Sequence, residues 1–184
     1  MNFFLQNSTL SSHTGMCYNG LGACVRMRMM HKNQTRGEAC LMKIAIGSDH
    51  AGFDLRHILA DHLKQKGFEV IDYGCPEKVS VDYPTYGRAV ANAIKNGECE
   101  MGVLVCGTGC GISLAANRVP GIRAVNPTDA LTAEMARRHN NANIISLGAR
   151  VIGEDTAKML VDVFFATEFE GGRHARRVDM IDSL

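Results

Sequence analysis

VLVCGTGCGISLAAN, Val103–Asn117, runs an unbroken apolar stretch into a turn of alternating glycines and then into a segment that can be helical. A short apolar run bounded by glycine fits a strand buried on both faces, as in a parallel sheet. Gly107, Gly109 and Gly111 let the backbone turn its N–H groups inward as an anion nest, and the helix that opens near Gly111 adds its positive end. A phosphate, or an oxyanion formed during reaction, could rest there. Cys106 stands at the mouth of this turn. A thiol beside such a field gains thiolate character. A cysteine at a strand end is otherwise a small apolar residue that packs, and here the glycine nest favours the reactive reading. The Cys110 side chain, inside the turn, reads as packing.

Outward from this stretch the text alternates between two periods. Lys43-Ile44-Ala45-Ile46-Gly47 reads as a first strand, followed by a helix with Leu55, Ile58, Leu59, His62 and Leu63 on one face, stopped by Lys66-Gly67. Glu69 to Tyr73 is a second strand. A second helix carries Tyr86, Ala89, Val90, Ala93 and Ile94 inward and stops near Asn96-Gly97. Met101 to Cys106 is the third strand, Ile122 to Val125 the fourth and Asn143 to Leu147 the fifth. Helices are expected at Asp129–Arg138, at Glu154 to about Ala166, and from about Gly172 to the end. The pattern predicts an α/β protein: a three-layer α/β/α, Rossmann-like fold on a five-stranded parallel sheet, with its sites at the carboxyl ends of the strands.

Residues 1–41 differ from this text. They hold Arg26, Arg28, Lys32 and Arg36 against a single acid, Glu38, and carry no hydrophobic period. They read as a disordered extension or an upstream start that is not the biological one, with residues 42–184 as one domain. A formal net charge of +1 gives no global field to recruit nucleic acid or an anionic membrane. No apolar run nears the roughly 18 residues of a membrane span. Seven cysteines without a C-x-x-C pair argue for a reducing, cytoplasmic compartment and against both a disulfide framework and a closed zinc site.

The strand-end rule selects further candidates. Gly47-Ser48-Asp49-His50 follows the first strand, and Gly148-Ala149-Arg150 follows the fifth. Asp49-His50 fits an acid–base pair, or equally a helix cap beside a solvated histidine. His139 ends a helix and alone reads as a dipole partner. Arg173 and Arg177, four apart, share a helix face and could clamp one anion, or form a solvated basic patch. Gly107-x-Gly109-x-Gly111 lacks the spacing and the later acid of a dinucleotide fingerprint, and no Walker lysine is present.

Ile46-Gly47-Ser48-Asp49-His50-Ala51-Gly52-Phe53, Asp82-Tyr83-Pro84, Val105-Cys106-Gly107-Thr108-Gly109, Ala115-Ala116-Asn117-Arg118, Gly121-Ile122-Arg123-Ala124, Arg138-His139-Asn140-Asn141-Ala142-Asn143 and Gly171-Gly172-Arg173-His174 occur in this order. From Met42 onward the chain resembles the type B ribose-5-phosphate isomerases, whose family also holds galactose-6-phosphate isomerase subunits. The resemblance implies an aldose–ketose isomerase that uses neither metal nor cofactor. It makes Cys106 the base that moves a proton between C2 and C1, and the N–H groups from Gly107 through Thr108, Gly109 and Cys110 to Gly111 the cradle of the enediolate oxygen. Asp49 and His139 open the furanose ring with Thr108 nearby. His50, Arg150, Arg173 and Arg177 hold the phosphate, and Asn140 binds the sugar. Some members carry a glutamate base further along the turn; Ile112 after Gly111 leaves no acid there, which favours the cysteine version. The resemblance also implies a homodimer, or a dimer of dimers, with a composite site. Ribose 5-phosphate is the expected substrate. The alternatives are another phosphosugar (allose 6-phosphate, galactose 6-phosphate or a tetrose phosphate) or a non-catalytic phosphosugar-binding module.

Overall fold

The computed structural model describes residues 41–183, so the expected extension lies outside the described residues except for Leu41. Five strands form one fully parallel sheet in the order β2-β1-β3-β5-β4: β1 (Lys43–Ser48), β2 (Glu69–Asp72), β3 (Met101–Cys106), β4 (Ala124–Val125) and β5 (Ile144–Gly148). Between and after them run α1 (Phe53–Gln65), α2 (Tyr83–Lys95), α3 (Cys110–Ala116), α4 (Ala130–Arg138), α5 (Glu154–Ala166) and α6 (Arg173–Asp182). The expected α/β class and five-stranded parallel sheet are what the structure has.

Strand alternation sorts the side chains into two cores. Ile44 and Ile46 of β1, Val103 and Val105 of β3, and Ile145 and Leu147 of β5 meet α1, α4 and α5 through Leu55, Leu59, Leu63, Ala133, Ala136, Leu160 and Phe164. On the other face Ala45, Leu104 and Ile144 meet α2 and α3 through Val90, Ala91, Ala93, Ile112 and Ala116. β3 is buried at all six positions, which is why its sequence is a continuous apolar run.

The fourth strand is shorter than its sequence suggests. Ile122 donates its N–H to Val119 O at 3.1 Å in a turn, and the Arg123 N–H goes to Asn143 Oδ1 at 2.8 Å, so the ladder begins only at Ala124. Asn143 also donates Nδ2 to Gly121 O at 2.8 Å, and β5 starts one residue later than expected, at Ile144.

Two features position the carboxyl ends of β1 and β3. A single 3-10 turn, His50–Gly52, lies against β3 so closely that a Cβ on Gly52 would sit 2.5 Å from Val105 O. Arg56, 2% exposed, donates Nη1 to Ser48 Oγ at 3.2 Å and to Cys75 O at 2.9 Å, pinning the loop after β2 to the end of β1. Among the described residues no helix is long and apolar enough to cross a membrane.

Candidate active site

The turn after β3 is built by hydrogen bonds that run in both directions. Gly109 has φ +80°, a left-handed conformation that glycine adopts without penalty. This directs its N–H back to Cys106 Sγ at 3.1 Å. Its carbonyl accepts the buried Ser146 hydroxyl of β5 at 2.6 Å and the Ser113 N–H at 3.3 Å. Cys110 donates its N–H to Thr108 Oγ1 at 3.4 Å, whereas the N–H groups of Thr108 and Gly111 have no acceptor among the described residues. The result is a sulfur at a strand end, held by one amide and flanked by the N–H groups of Thr108 and Gly111, which have no acceptor among the described residues.

Asp49, buried, caps the 3-10 turn: its Oδ1 accepts from Ala51 N–H at 2.9 Å and Gly52 N–H at 3.1 Å. The cap and the acid–base readings are compatible, because both bonds fall on Oδ1. His50 Nδ1 accepts the Val81 N–H at 3.2 Å, which fixes the ring against the loop before α2. Arg150 donates its backbone N–H to Gly107 O at 3.0 Å, and a Cβ on Gly107 would lie 3.5 Å from its Nη1.

Asp49, His50, Cys106, Gly107, Thr108, Gly111 and Arg150 line one open pocket of about 340 Å³, together with Ala51 and Tyr83. Tyr83, which opens α2, places its ring where a Cβ on Gly111 would come within 2.7 Å. Tyr83 and Ala51 were not among the candidate site residues, although both lie inside the quoted motifs; the proline after Tyr83 marks the helix start that aims it. Cys110 departs from expectation. Its side chain is exposed rather than packed, and its Sγ receives Asn126 Nδ2 at 3.3 Å.

His139, Asn140, Arg173 and Arg177 do not line this pocket of their own chain. His139 caps the C-terminus of α4 and stacks on His174 of α6, with ring centroids 4.1 Å apart and planes 2° from parallel. Both Nε2 atoms lie 3.5 Å from Glu170 Oε2. Arg173 Nε donates to His174 Nε2 at 3.3 Å. Asn140, Arg173 and Arg177 are exposed. Burial pushes the His174 imidazole below the usual histidine range, and the nearby His139 and Arg173 add to this. Hydrogen bonding to Arg138 holds the Glu170 carboxyl below the usual carboxylate range. Ligand atoms of His139, Glu170 and His174 fall within 4.8 Å of one another. Parallel rings point their lone pairs side by side rather than at one centre, and Arg138 and Arg173 already occupy Glu170 Oε1 and His174 Nε2, so the cluster fits a cation poorly.

The model of the ribose/galactose isomerase family matches residues 44–181, three quarters of the chain. The chain belongs to this family. It is 46% identical over 144 residues to ribose-5-phosphate isomerase B of Escherichia coli K12, covering 78% of this chain and 97% of that one. It is 44% identical over 142 residues to a D-erythrulose-4-phosphate isomerase of Pectobacterium atrosepticum, covering 77% and 93%. The structure of Clostridium thermocellum ribose-5-phosphate isomerase B superimposes with a TM-score of 0.76 at 55% identity, over 77% of this chain and 96% of that one. As a member of the ribose/galactose isomerase family the chain is a sugar-phosphate isomerase, and the pocket at Cys106 lies at the carboxyl edge where parallel α/β sheets hold their ligands.

Proposed function

We propose that this isomerase interconverts D-ribose 5-phosphate and D-ribulose 5-phosphate by proton transfer at Cys106, in the cytoplasm, with no metal or cofactor taking part. The observation that carries the reading is the Gly109 N–H on Cys106 Sγ at 3.1 Å, beside turn N–H groups of Thr108 and Gly111 that have no acceptor among the described residues. A hydrogen alpha to a carbonyl is weakly acidic, so its removal needs a base and stabilisation of the charge that appears on oxygen. A sulfur held by one amide supplies the base. The N–H groups of Thr108 and Gly111 supply the stabilisation. Cys106 takes the C2 proton of the open aldose and returns it to C1 of the enediolate. Asp49, through Oδ2, and Thr108 act on the ring-opening atoms. His50 and Arg150 receive the phosphate, so binding far from the reacting carbon orients it.

A second copy of the chain completes the site. His139, Asn140, Arg173 and Arg177 do not line the pocket of their own chain, and a homodimer that brings them to the pocket of its partner accounts for all the residues that the family resemblance implies. A dimer of dimers satisfies the same requirement.

The similarity to a D-erythrulose-4-phosphate isomerase, nearly as close as that to the E. coli enzyme, supports a second reading, in which a four-carbon phosphosugar is preferred. Comparing kcat/KM on ribose 5-phosphate, erythrose 4-phosphate and allose 6-phosphate decides between them. The proposal expects the five-carbon substrate to lead by at least about tenfold, the order that a missing or added carbon earns in a fitted pocket. A lead for the tetrose or hexose overturns it, and binding without turnover of any of them would make the chain a non-catalytic module.

A further inference from the structure

The environment of His139 contains a device that the proton transfer at Cys106 does not use. Glu170 sits between α5 and α6, and its backbone N–H donates to Arg138 O at 3.0 Å. Its Oε1 accepts Arg138 Nε at 3.1 Å and Nη2 at 2.9 Å, so one guanidinium holds this oxygen with two charge-assisted bonds. Oε2, which Arg138 leaves unoccupied, lies 3.5 Å from Nε2 of His139 and 3.5 Å from Nε2 of His174. The His174 side chain, only 8% exposed, supplies a rigid face against which the His139 ring stacks. His139 itself is over a third exposed and sits at the end of a helix, where a free side chain would sample several rotamers. Two contacts, a stacked ring and an anchored anion, restrict that freedom.

We propose that Glu170, anchored by Arg138, is a positioning residue for His139 in the opening of the sugar ring, with His174 as the backing surface. The proposal rests on the reading of His139 as a ring-opening group. In that step the proton of the anomeric hydroxyl is removed, the bond between C1 and the ring oxygen breaks as the C1 carbonyl forms, and the ring oxygen takes up a proton. An imidazole that exchanges a proton passes through or starts from its cation. A fixed anion 3.5 Å away stabilises that cation without forming a short hydrogen bond that would lock the proton in place. In this proposal Glu170 acts through His139 and not on the reacting carbons.

The chemistry of the two substrates supplies the test. Ribose 5-phosphate closes to a furanose through O4. In ribulose 5-phosphate the carbonyl is at C2 and the oxygen needed for a five-membered ring, O5, carries the phosphate, so the ketose is open. Exchange of its C1 hydrogen with solvent deuterium requires Cys106 but no ring chemistry. Two rates are to be measured for wild type, Glu170→Gln, Arg138→Gln and His139→Asn: deuterium uptake into ribulose 5-phosphate, and net conversion of ribose 5-phosphate. The expected result is a split. Glu170→Gln and His139→Asn lower net conversion by about tenfold or more, within the range of a general acid–base contribution, while exchange stays within about twofold of wild type. Arg138→Gln, at an exposed position, shows a smaller loss with the same split. Equal losses in both rates for Glu170→Gln would make it a general structural support, and no loss in either would leave it without a role; each overturns the proposal. If His139→Asn shows no split, the ring-opening reading of His139 fails and the proposal with it. A wild type that neither converts nor exchanges would instead refute the proposed function itself.

Discussion

Gly109 shows how much chemistry one backbone position can carry. Its φ of +80° is what allows its N–H to reach Cys106 while its carbonyl faces Ser146. A Cβ there would stand 2.8 Å from both polar atoms of the Asn126 side chain and 2.9 Å from the Leu147 carbonyl carbon. Gly109→Ala is therefore expected to cost about 1–2 kcal/mol from the left-handed backbone alone, read by chemical denaturation, and to lower kcat more than it raises KM. An unchanged kcat would show that the amide on Sγ is not needed. At this scale much of the pocket was legible in the sequence, because Cys106 and its glycine turn are contiguous and strand ends mark where to look. The side chain of Cys110 was misjudged because the left-handed turn at Gly109 decides which way its neighbour faces, and no side-chain pattern encodes that. Tyr83 reaches Gly111 only through the packing of α2 on α3, a contact between distant stretches of sequence.

At the scale of elements, periodicity located every strand and nearly every helix end, and it failed where side chains took over backbone hydrogen bonds. Asn143 occupies the Arg123 N–H and the Gly121 carbonyl, and so trims β4 and delays β5. The joint between α4 and α6 was equally hidden. Arg138, Glu170 and His174 meet there through a loop whose sequence reads as ordinary charge. That joint has a pH signature. His174 has a folded pKa below its unfolded value, mainly from burial and then from His139 and Arg173, with Glu170 opposing and Arg177 adding to the shift. The neutral ring is the one the fold favours. Its contribution is complete above the ordinary histidine value of about 6.5 and is lost as pH falls through the lowered folded value. Tm measured from pH 7.5 down to pH 5 should fall in wild type and fall less in His174→Asn. Parallel curves for the two proteins would remove His174 as the cause. The Glu170 carboxyl, also lowered, loses its contribution only at more acidic pH, in a separate window.

For the whole molecule, the pocket divides the candidate site residues into two sets, those that line it and those that do not. No sequence pattern announces such a division, because it depends on where α4 and α6 sit relative to the carboxyl edge of the sheet. A composite dimer predicts complementation. Cys106→Ser and His139→Asn, each impaired alone, should recover activity when their subunits are exchanged, since one of the two sites in a mixed dimer then carries both native residues. Random mixing in a symmetric dimer puts the recovered rate at about a quarter of wild type. Activity that stays at the level of the single variants would place both residues in one chain's site, or leave the dimer unused.

In the proposed reaction a thiol at the end of β3 moves the proton. The most direct measurement is turnover of ribose 5-phosphate by wild type and Cys106→Ser side by side, in the presence of a chelator. A serine hydroxyl preserves the shape of the site but is a far weaker base. Wild-type turnover with a loss of about 10²-fold or more in the variant is the predicted result. Equal activity of the two proteins would contradict it and move the base elsewhere in the pocket.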